Sequence, residues 1–492
     1  MALKRVGLQL KSSLGWGYVT RVLEVELEPD ADQPLGHILK NFRVLPDEVV
    51  TADLPIMHRG YFDAHLHAMW AGFKAQQADL AKARAPDELI KAVVNAKAPP
   101  SGVVQAHGWN ENHFGMSVQS LAQIVEPKLS QLGPALLLRT CGHSAFVSPK
   151  LLQQLGLSMR AGLVTDKDLW QIYERLPQPS VRECERAFLL TQQRLLDLGV
   201  TAIGDMSLNE VSATALVSLT QSGLLAIDVQ GVIEGGQALS FEHTGPQLVP
   251  GAKTSRVLGR EPQLQIRHFK KFLDGSFGAH TAALTEAYDD AETRGELLTT
   301  LSALIDESHE ALRQGFCLSF HAIGDAALDL ALDLGDRLRP VLEARAQADH
   351  RPGLLPTAHR LEHAQLIRDD QLQRLTSQKF WTLVLQPHHA VADKPFIEHR
   401  LGEQRLSSQA YRARSLWARE VPLAISSDAP IDEWSPTQVL RALCLQINQQ
   451  ERMSFADALW SYTTGARLHL GLSPGQIKAG ELVFVSDPKN IL

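Results

Sequence analysis

Gly60-Tyr61-Phe62-Asp63-Ala64-His65-Leu66-His67 closes a short apolar run that starts near Met57. Residues at i and i+2 of a β-strand share a face. His65 and His67 therefore point the same way at the end of the strand, where two imidazoles can grip one metal ion. The stretch also sets a pattern: an apolar run ends on a polar residue and a helical segment follows. Seven further runs repeat it, at residues 200–205, 225–233, 264–273, 316–321, 357–363, 380–386 and 421–427. Helical patterns such as 300–314, 326–344 and 369–377 lie between them. Strands alternating with helices predict a parallel α/β architecture. Eight such units predict a distorted (β/α)8 TIM barrel over residues 57–474.

Outward from this core the chain changes character. Two more strand-like runs, 102–107 and 134–139, fall in a stretch of about 130 residues (roughly 68–198) that reads as an insertion after the first barrel strand. An insertion there leaves a barrel at the C-terminal face of its strands, so a lid over the active site is expected. Residues 18–27 alternate as a β-strand does, and 480–486 reads as another. Residues 1–56 and 475–492 are expected to form one small flanking β-domain, β-sandwich-like, from both ends of the chain.

Composition narrows the function classes. Of 492 residues, 44% are hydrophobic and 21% charged, which excludes a disordered or fibrous chain. The net charge of −7 gives no bulk attraction for nucleic acid or an anionic membrane. Cys141, Cys184, Cys317 and Cys444 are far apart and form no Cys-x-x-Cys pair, so neither a disulfide framework nor a cysteine zinc site is suggested. No apolar run follows the basic start, and none is long enough for a transmembrane helix. A cytoplasmic protein acting on a small molecule is expected, with a second copy of the chain as a candidate homodimer partner.

More candidate ligands close other strands: His321 on the fifth, His363 on the sixth and Asp428 after the eighth. In a barrel those ends share one mouth. Imidazole plus carboxylate suits zinc, iron or manganese.

These residues carry a resemblance. The chain resembles the amidohydrolase superfamily, and within it amidohydrolase family 3, the YtcJ-like metal-dependent hydrolases, from about residue 60 to 471. The motifs are Gly-Tyr-Phe-Asp-Ala-His-Leu-His (60–67), Gly-Trp-Asn-Glu-Asn (108–112), Cys-Gly-His-Ser-Ala-Phe-Val-Ser (141–148), Asp-Gly-Ser-Phe-Gly-Ala-His-Thr-Ala-Ala-Leu (274–284), His-Ala-Ile-Gly-Asp (321–325), Glu-His-Ala-Gln (362–365), Gln-Pro-His-His (386–389) and Ser-Asp-Ala-Pro (427–430). The resemblance implies one more ligand: a lysine four residues before Asp274, Lys270, carbamylated by carbon dioxide and bridging two metals. Lys271 has the opposite strand parity, so only one of the pair can face the interior.

The implied site holds one divalent metal, zinc or else iron or manganese, on His65, His67 and Asp428 and a second on His321 and His363. Two cations make hydroxide available at neutral pH, and Asp428 accepts its proton and passes it to the leaving group. Trp109, Asn110 and His143 resemble the segments that approach substrate; Gln386 and His389, at the end of the seventh strand, are expected to line the pocket or to support the ligands. Asp325 is expected to cap the helix starting near Ala326, and Glu362, pointing away from the side of His363, to partner Arg360 or a neighbour. Two departures bear on substrate: the family's arginine after His-Ala-Ile-Gly-Asp is Ala326 here, and its Ser-Arg-Thr-Ala is Ala279-His280-Thr281-Ala282. The leading expectation is hydrolysis of an amide or cyclic amide. An ester hydrolase, a one-metal deaminase and a non-catalytic scaffold are the alternatives; the deaminase lacks its usual glutamate beside His321, and the scaffold would be expected to have lost ligands.

Overall fold

A computed structural model describes residues 3–11, 18–45, 50–97, 101–139, 144–235, 247–255, 257–348, 359–432, 434–472, 477–478 and 481–492. The chain divides into two units, Met1–Ala68 with Phe188–Leu492, and Met69–Ala187. The first unit opens with β1 (Leu3–Lys11), β2 (Tyr18–Pro29), β3 (Gly36–Val44), β4 (Ile56–His58) and β5 (Tyr61–Leu66). The second unit contributes β6 (Ala78–Asp79), β7 (Val104–Trp109), β8 (Ala135–Arg139), β9 (Ser144–Val147) and β10 (Gly162–Thr165). The first unit resumes with β11 (Val200–Leu208), β12 (Asp228–Glu234), β13 (Gln247–Pro250), β14 (Gln263–Phe272), β15 (Cys317–Ala322), β16 (His359–His363), β17 (Trp381–Leu385), β18 (Leu423–Ile425) and β19 (Leu482–Ser486).

Eight parallel strands form the distorted barrel, in the order β18-β17-β16-β15-β14-β12-β11-β5. Its two ends meet through the residues of interest. The Asp428 amide donates to the His65 carbonyl at 2.8 Å, and the His67 amide donates to the Ala429 carbonyl at 2.7 Å. Strand parity sorts the side chains. On β5, Phe62 and Ala64 pack with Ala466, Leu470 and Leu472 in an apolar cluster. His65 has the other parity, and its ring meets Glu362 and Asp428 instead. On β14, Lys271 pairs with Glu307 of the helix Leu301–Arg313 at 2.8 Å, while Lys270 is 1% exposed.

The flanking sheet closes on itself as a five-stranded barrel, β1-β2-β3-β19-β4. On β2, Leu23, Val25 and Leu27 enter its core, while Glu24 and Glu28 pair with Arg43 and Lys40 of β3. This is the period-2 alternation of a strand with one buried face. The run from Met57 to His65 is not one strand. It breaks at Gly60, whose φ of +98° is one that side chains rarely adopt. Residues before the break pair in the flanking barrel, and residues after it pair in the large one.

The Met69–Ala187 unit carries the five-stranded sheet β10-β9-β8-β7-β6. Leu80, Leu89, Trp109, Leu121, Leu137 and Phe146 are buried in its core. Among the described residues, no helix is long and apolar enough to cross a membrane. Asp325 is not a helix cap. The cap position of the helix Asp325–Arg337 is Gly324, and the Asp325 carboxylate instead accepts from the Thr285 amide (3.0 Å) and from Arg368 (2.8 Å).

Candidate metal centre

The strand ends bring most of the expected ligands together. His65 Nε2 and His67 Nε2 lie 3.4 and 3.3 Å from Asp428 Oδ1, and the three side chains form a group able to hold one ion. His363, His389 and Asp428 form a second such group. His389 Nε2 is 3.6 Å from Asp428 Oδ2. His321 belongs to neither group. Its ring stands 4.4 Å, centre to centre, from that of His363, and its Nε2 meets the Gly275 carbonyl at 3.0 Å. That bond leaves Nδ1 as the nitrogen for any ligand. Lys270 is buried, with Nζ 4.6 Å from the centre of the Phe272 ring, which in turn lies 4.9 Å from that of His321.

The donor set fits a divalent metal. Buried polar atoms are almost always hydrogen-bonded. Yet His65 Nε2, His321 Nδ1, His363 Nδ1, His389 Nε2 and Asp428 Oδ1 are buried and have no hydrogen-bond partner. Their chemistry, nitrogen plus carboxylate oxygen, is that of zinc and its neighbours. The electrostatics agree. Burial pushes the His321 imidazole down to about 3, with Lys270 adding to the effect. Burial and His321 hold His363 well below its ordinary value. Both rings are thus neutral, as ligands must be. Burial pushes Asp428 up, but the His65 and His67 imidazoles outweigh it and hold the carboxyl well below its usual range. Burial also lowers the Lys270 amine, against the opposing pull of Asp428, Glu362 and Glu234.

Behind the ligands lies a layer that sequence reasoning saw only in part. Glu362 does partner Arg360, at 2.7 Å. It also accepts from Ser319 Oγ at 2.7 Å and sits 2.7 Å from His65 Nδ1. Arg360 further donates to the Ala64 carbonyl at 2.5 Å. Glu362 is held ionised: burial raises it, and Arg360 and His65 more than offset that. A carboxylate on the far nitrogen fixes a ligand histidine's tautomer and ring angle. Neighbours on a strand point to opposite faces, so Glu362 and His363 should not both approach His65. They do so because His363 and Ala364 take left-handed φ values of 72° and 45°, which turn the strand end over. Non-glycine residues in this region concentrate at functional sites. The sequence signals for Glu362 were its i, i+2 spacing from Arg360 and its place in the Glu-His-Ala-Gln motif. Asp274, another unforeseen member, accepts from the amides of Ala283, Ile323 and Gly324 at 2.8–3.0 Å. It anchors the loop that follows β15.

The expected substrate residues divide. His389 is in the centre. Gln386 is buried and donates to the Val384 carbonyl and Ser426 Oγ at 3.1 and 3.0 Å, so it braces the strand ends. Trp109 is a correction. It is 0% exposed, stacks on Phe146 and donates to the Leu137 carbonyl at 2.7 Å. It is a core residue of its own unit, because a large indole there fills the space between sheet and helices and satisfies its N–H internally. Asn110 follows it, half-buried. His143 lies outside the described residues. His280, standing where the resemblance implies arginine, pairs with Asp290 at 3.0 Å.

Comparison with known proteins adds the family context. A model of the amidohydrolase family matches residues 60–482. The putative amidohydrolase YtcJ of Bacillus subtilis is 25% identical over 476 residues, which cover 88% of this chain and 84% of that protein. The N-substituted formamide deformylase of Arthrobacter pascens is 22% identical over 478 residues, 87% of this chain and 83% of that one. An uncharacterized metal-dependent hydrolase from Pyrococcus horikoshii superposes with a TM-score of 0.74 at 25% identity, over 100% of this chain and 98% of its own.

Proposed function

The chain belongs to the amidohydrolase family, and from that premise we propose that it is a metal-dependent enzyme cleaving a C–N bond of an amide or cyclic amide, with two divalent metals bridged by carbamylated Lys270. One observation carries the reading: four buried donor atoms without partners, on His65, His321, His363 and Asp428, sit on residues at or just beyond barrel strand ends. In this reading His65, His67 and Asp428 hold one metal, and His321 and His363 the other. Zinc is the first choice, with iron or manganese as variants. When bound, the metals supply Lewis acidity, polarising a carbonyl and lowering the pKa of water from roughly 15.7 toward about 7.

The chain's own groups do the rest. Burial keeps the Lys270 amine below its ordinary value, which favours the neutral form that adds carbon dioxide and sheds a proton to become a carbamate. Asp428, ionised, takes a proton from the attacking water and gives it to the departing nitrogen. Glu362 holds the His65 ring in place from behind. The Arthrobacter relative is named for action on N-substituted formamides, and this supports an amide as substrate here. The widely spaced cysteines, with no Cys-x-x-Cys pair, suit a reducing compartment such as the cytoplasm.

The test is a hydrolysis screen of protein prepared with zinc and bicarbonate, over N-formyl and N-acyl amines, cyclic amides and esters. Turnover of an amide or cyclic amide is expected, lost with a chelator and restored by zinc. Turnover confined to esters, or indifferent to the chelator, would overturn the reading.

A further inference from the structure

Two of the histidines facing Asp428 are held from behind by partners of opposite kind. His65 Nδ1 lies 2.7 Å from Glu362 Oε2. An ionised carboxylate only accepts, so the proton sits on Nδ1 and Nε2 keeps its lone pair. His389 Nδ1 lies 3.1 Å from Gln365 Nε2. An amide nitrogen only donates, so here Nδ1 accepts and the ring proton sits on Nε2. That Nε2 is buried, has no hydrogen-bond partner and stands 3.6 Å from Asp428 Oδ2. A protonated ring nitrogen has no lone pair for a metal. It is a donor, set beside the carboxylate that moves the proton.

Main-chain hydrogen bonds hold the backbone of both residues in place. Gln365 is buried, and its main-chain carbonyl accepts from the Tyr411 amide at 2.8 Å. The His389 carbonyl accepts from the Asp393 amide at 2.7 Å, and its own amide donates to the Gln386 carbonyl at 3.2 Å. We propose that His389 is the hydrogen-bond donor to the carbonyl oxygen of the scissile amide as that oxygen becomes an oxyanion, and that Gln365 is the positioning residue that selects the donor tautomer. The inference rests on the amide-hydrolysis reading above and gives a role to a residue whose location alone fits a ligand equally well.

The reaction balances without moving the His389 proton. Water adds through oxygen to the carbonyl carbon and loses one proton to Asp428. The carbonyl π pair moves to oxygen, where the His389 N–H meets it. The C–N bond then breaks with its pair going to nitrogen, which takes the proton from Asp428. A carboxylic acid and an amine result.

Three variants test this: His389→Phe, His389→Gln and Gln365→Glu. The readouts are kcat and KM on an amide from the screen, bound metal per chain, and the visible spectrum of cobalt(II)-substituted protein. Loss of one oxyanion donor costs roughly 10²–10³ in kcat. His389→Phe should fall by about that factor with KM and metal content little changed, and His389→Gln, which keeps an N–H at similar reach, should stay within about tenfold of wild type. Gln365→Glu replaces a donor by an acceptor of the same length. It should move the proton to Nδ1, lower kcat, and change the cobalt spectrum as Nε2 becomes free to ligate. Loss of metal in His389→Phe would make His389 a ligand and overturn the proposal, as would a wild-type kcat in His389→Phe or Gln365→Glu. Metal content and the cobalt spectrum need no substrate, so they decide the ligand question even where the screen finds none. A wild type that binds no metal sinks the proposed function and this inference together; a metal-replete, active wild type with normal His389→Phe turnover sinks this inference alone.

Discussion

Asp428 is the residue on which the centre turns. It follows β18 in a left-handed conformation, φ 60°, with its amide tied to the His65 carbonyl. Its carboxylate reaches His65, His67 and His389 at 3.3–3.6 Å. Asp428→Asn keeps the shape and loses the ability to take a proton. General acid–base help of this kind is worth roughly 10²–10⁴-fold. The variant should therefore lower kcat by about that factor, while bound metal, measured by atomic absorption, falls less than in His65→Ala. Near-normal turnover in a metal-replete variant would remove Asp428 as the base. At this scale the sequence was most informative where chemistry and strand parity coincide, as at His65 and His67, and at polar residues closing apolar runs. It was silent on partners brought from distant strands. Glu362 meets His65 across 297 positions, and no local pattern records that. Trp109 misled because an aromatic next to asparagines looks like a binding segment, whereas burial is decided by the sheet beneath it.

Elements were legible where a strand is buried on both faces. Parallel barrel strands read as short apolar runs, and the eight that were expected correspond to β5, β11, β12 and β14–β18. The misplaced boundary at 57–65 has a simple cause: apolarity continues through Gly60 while the backbone changes direction. A Cβ at Gly60 would run into the Thr201 side chain and the Gly199 carbonyl, and the φ of +98° strains any other residue. Gly60→Ala is expected to cost roughly 1–3 kcal/mol, read as a lower urea midpoint with an unchanged slope. A variant as stable as wild type would show that the break between β4 and β5 does not depend on glycine.

The whole molecule also has an expected pH response outside the centre. His58 on β4 is buried; the Gly60 amide donates to its Nδ1 at 3.0 Å, so its Nε2 donates to Ser486 Oγ at 2.9 Å. Burial pushes this imidazole down to about 3 from an ordinary 6.5. Between those values the unfolded chain binds a proton that the folded chain refuses, so stability falls as pH drops through the window and is recovered above 6.5. His58→Asn should flatten the stability curve between pH 6.5 and 3 relative to wild type, in urea melts at matched pH; parallel curves would contradict this. The closure that buries His58 was not legible, because β19 pairs with β3 and β4 from the other end of the chain. The central claim is that this barrel mouth is a two-metal centre with Lys270 as its bridge, and it is tested most directly by bound metal per chain in wild type and Lys270→Ala, both prepared with zinc and bicarbonate. About two metals in wild type and fewer in Lys270→Ala, partly restored by a short carboxylic acid, is the predicted result. Equal metal content in the two proteins without added acid, or no metal in wild type, would contradict it.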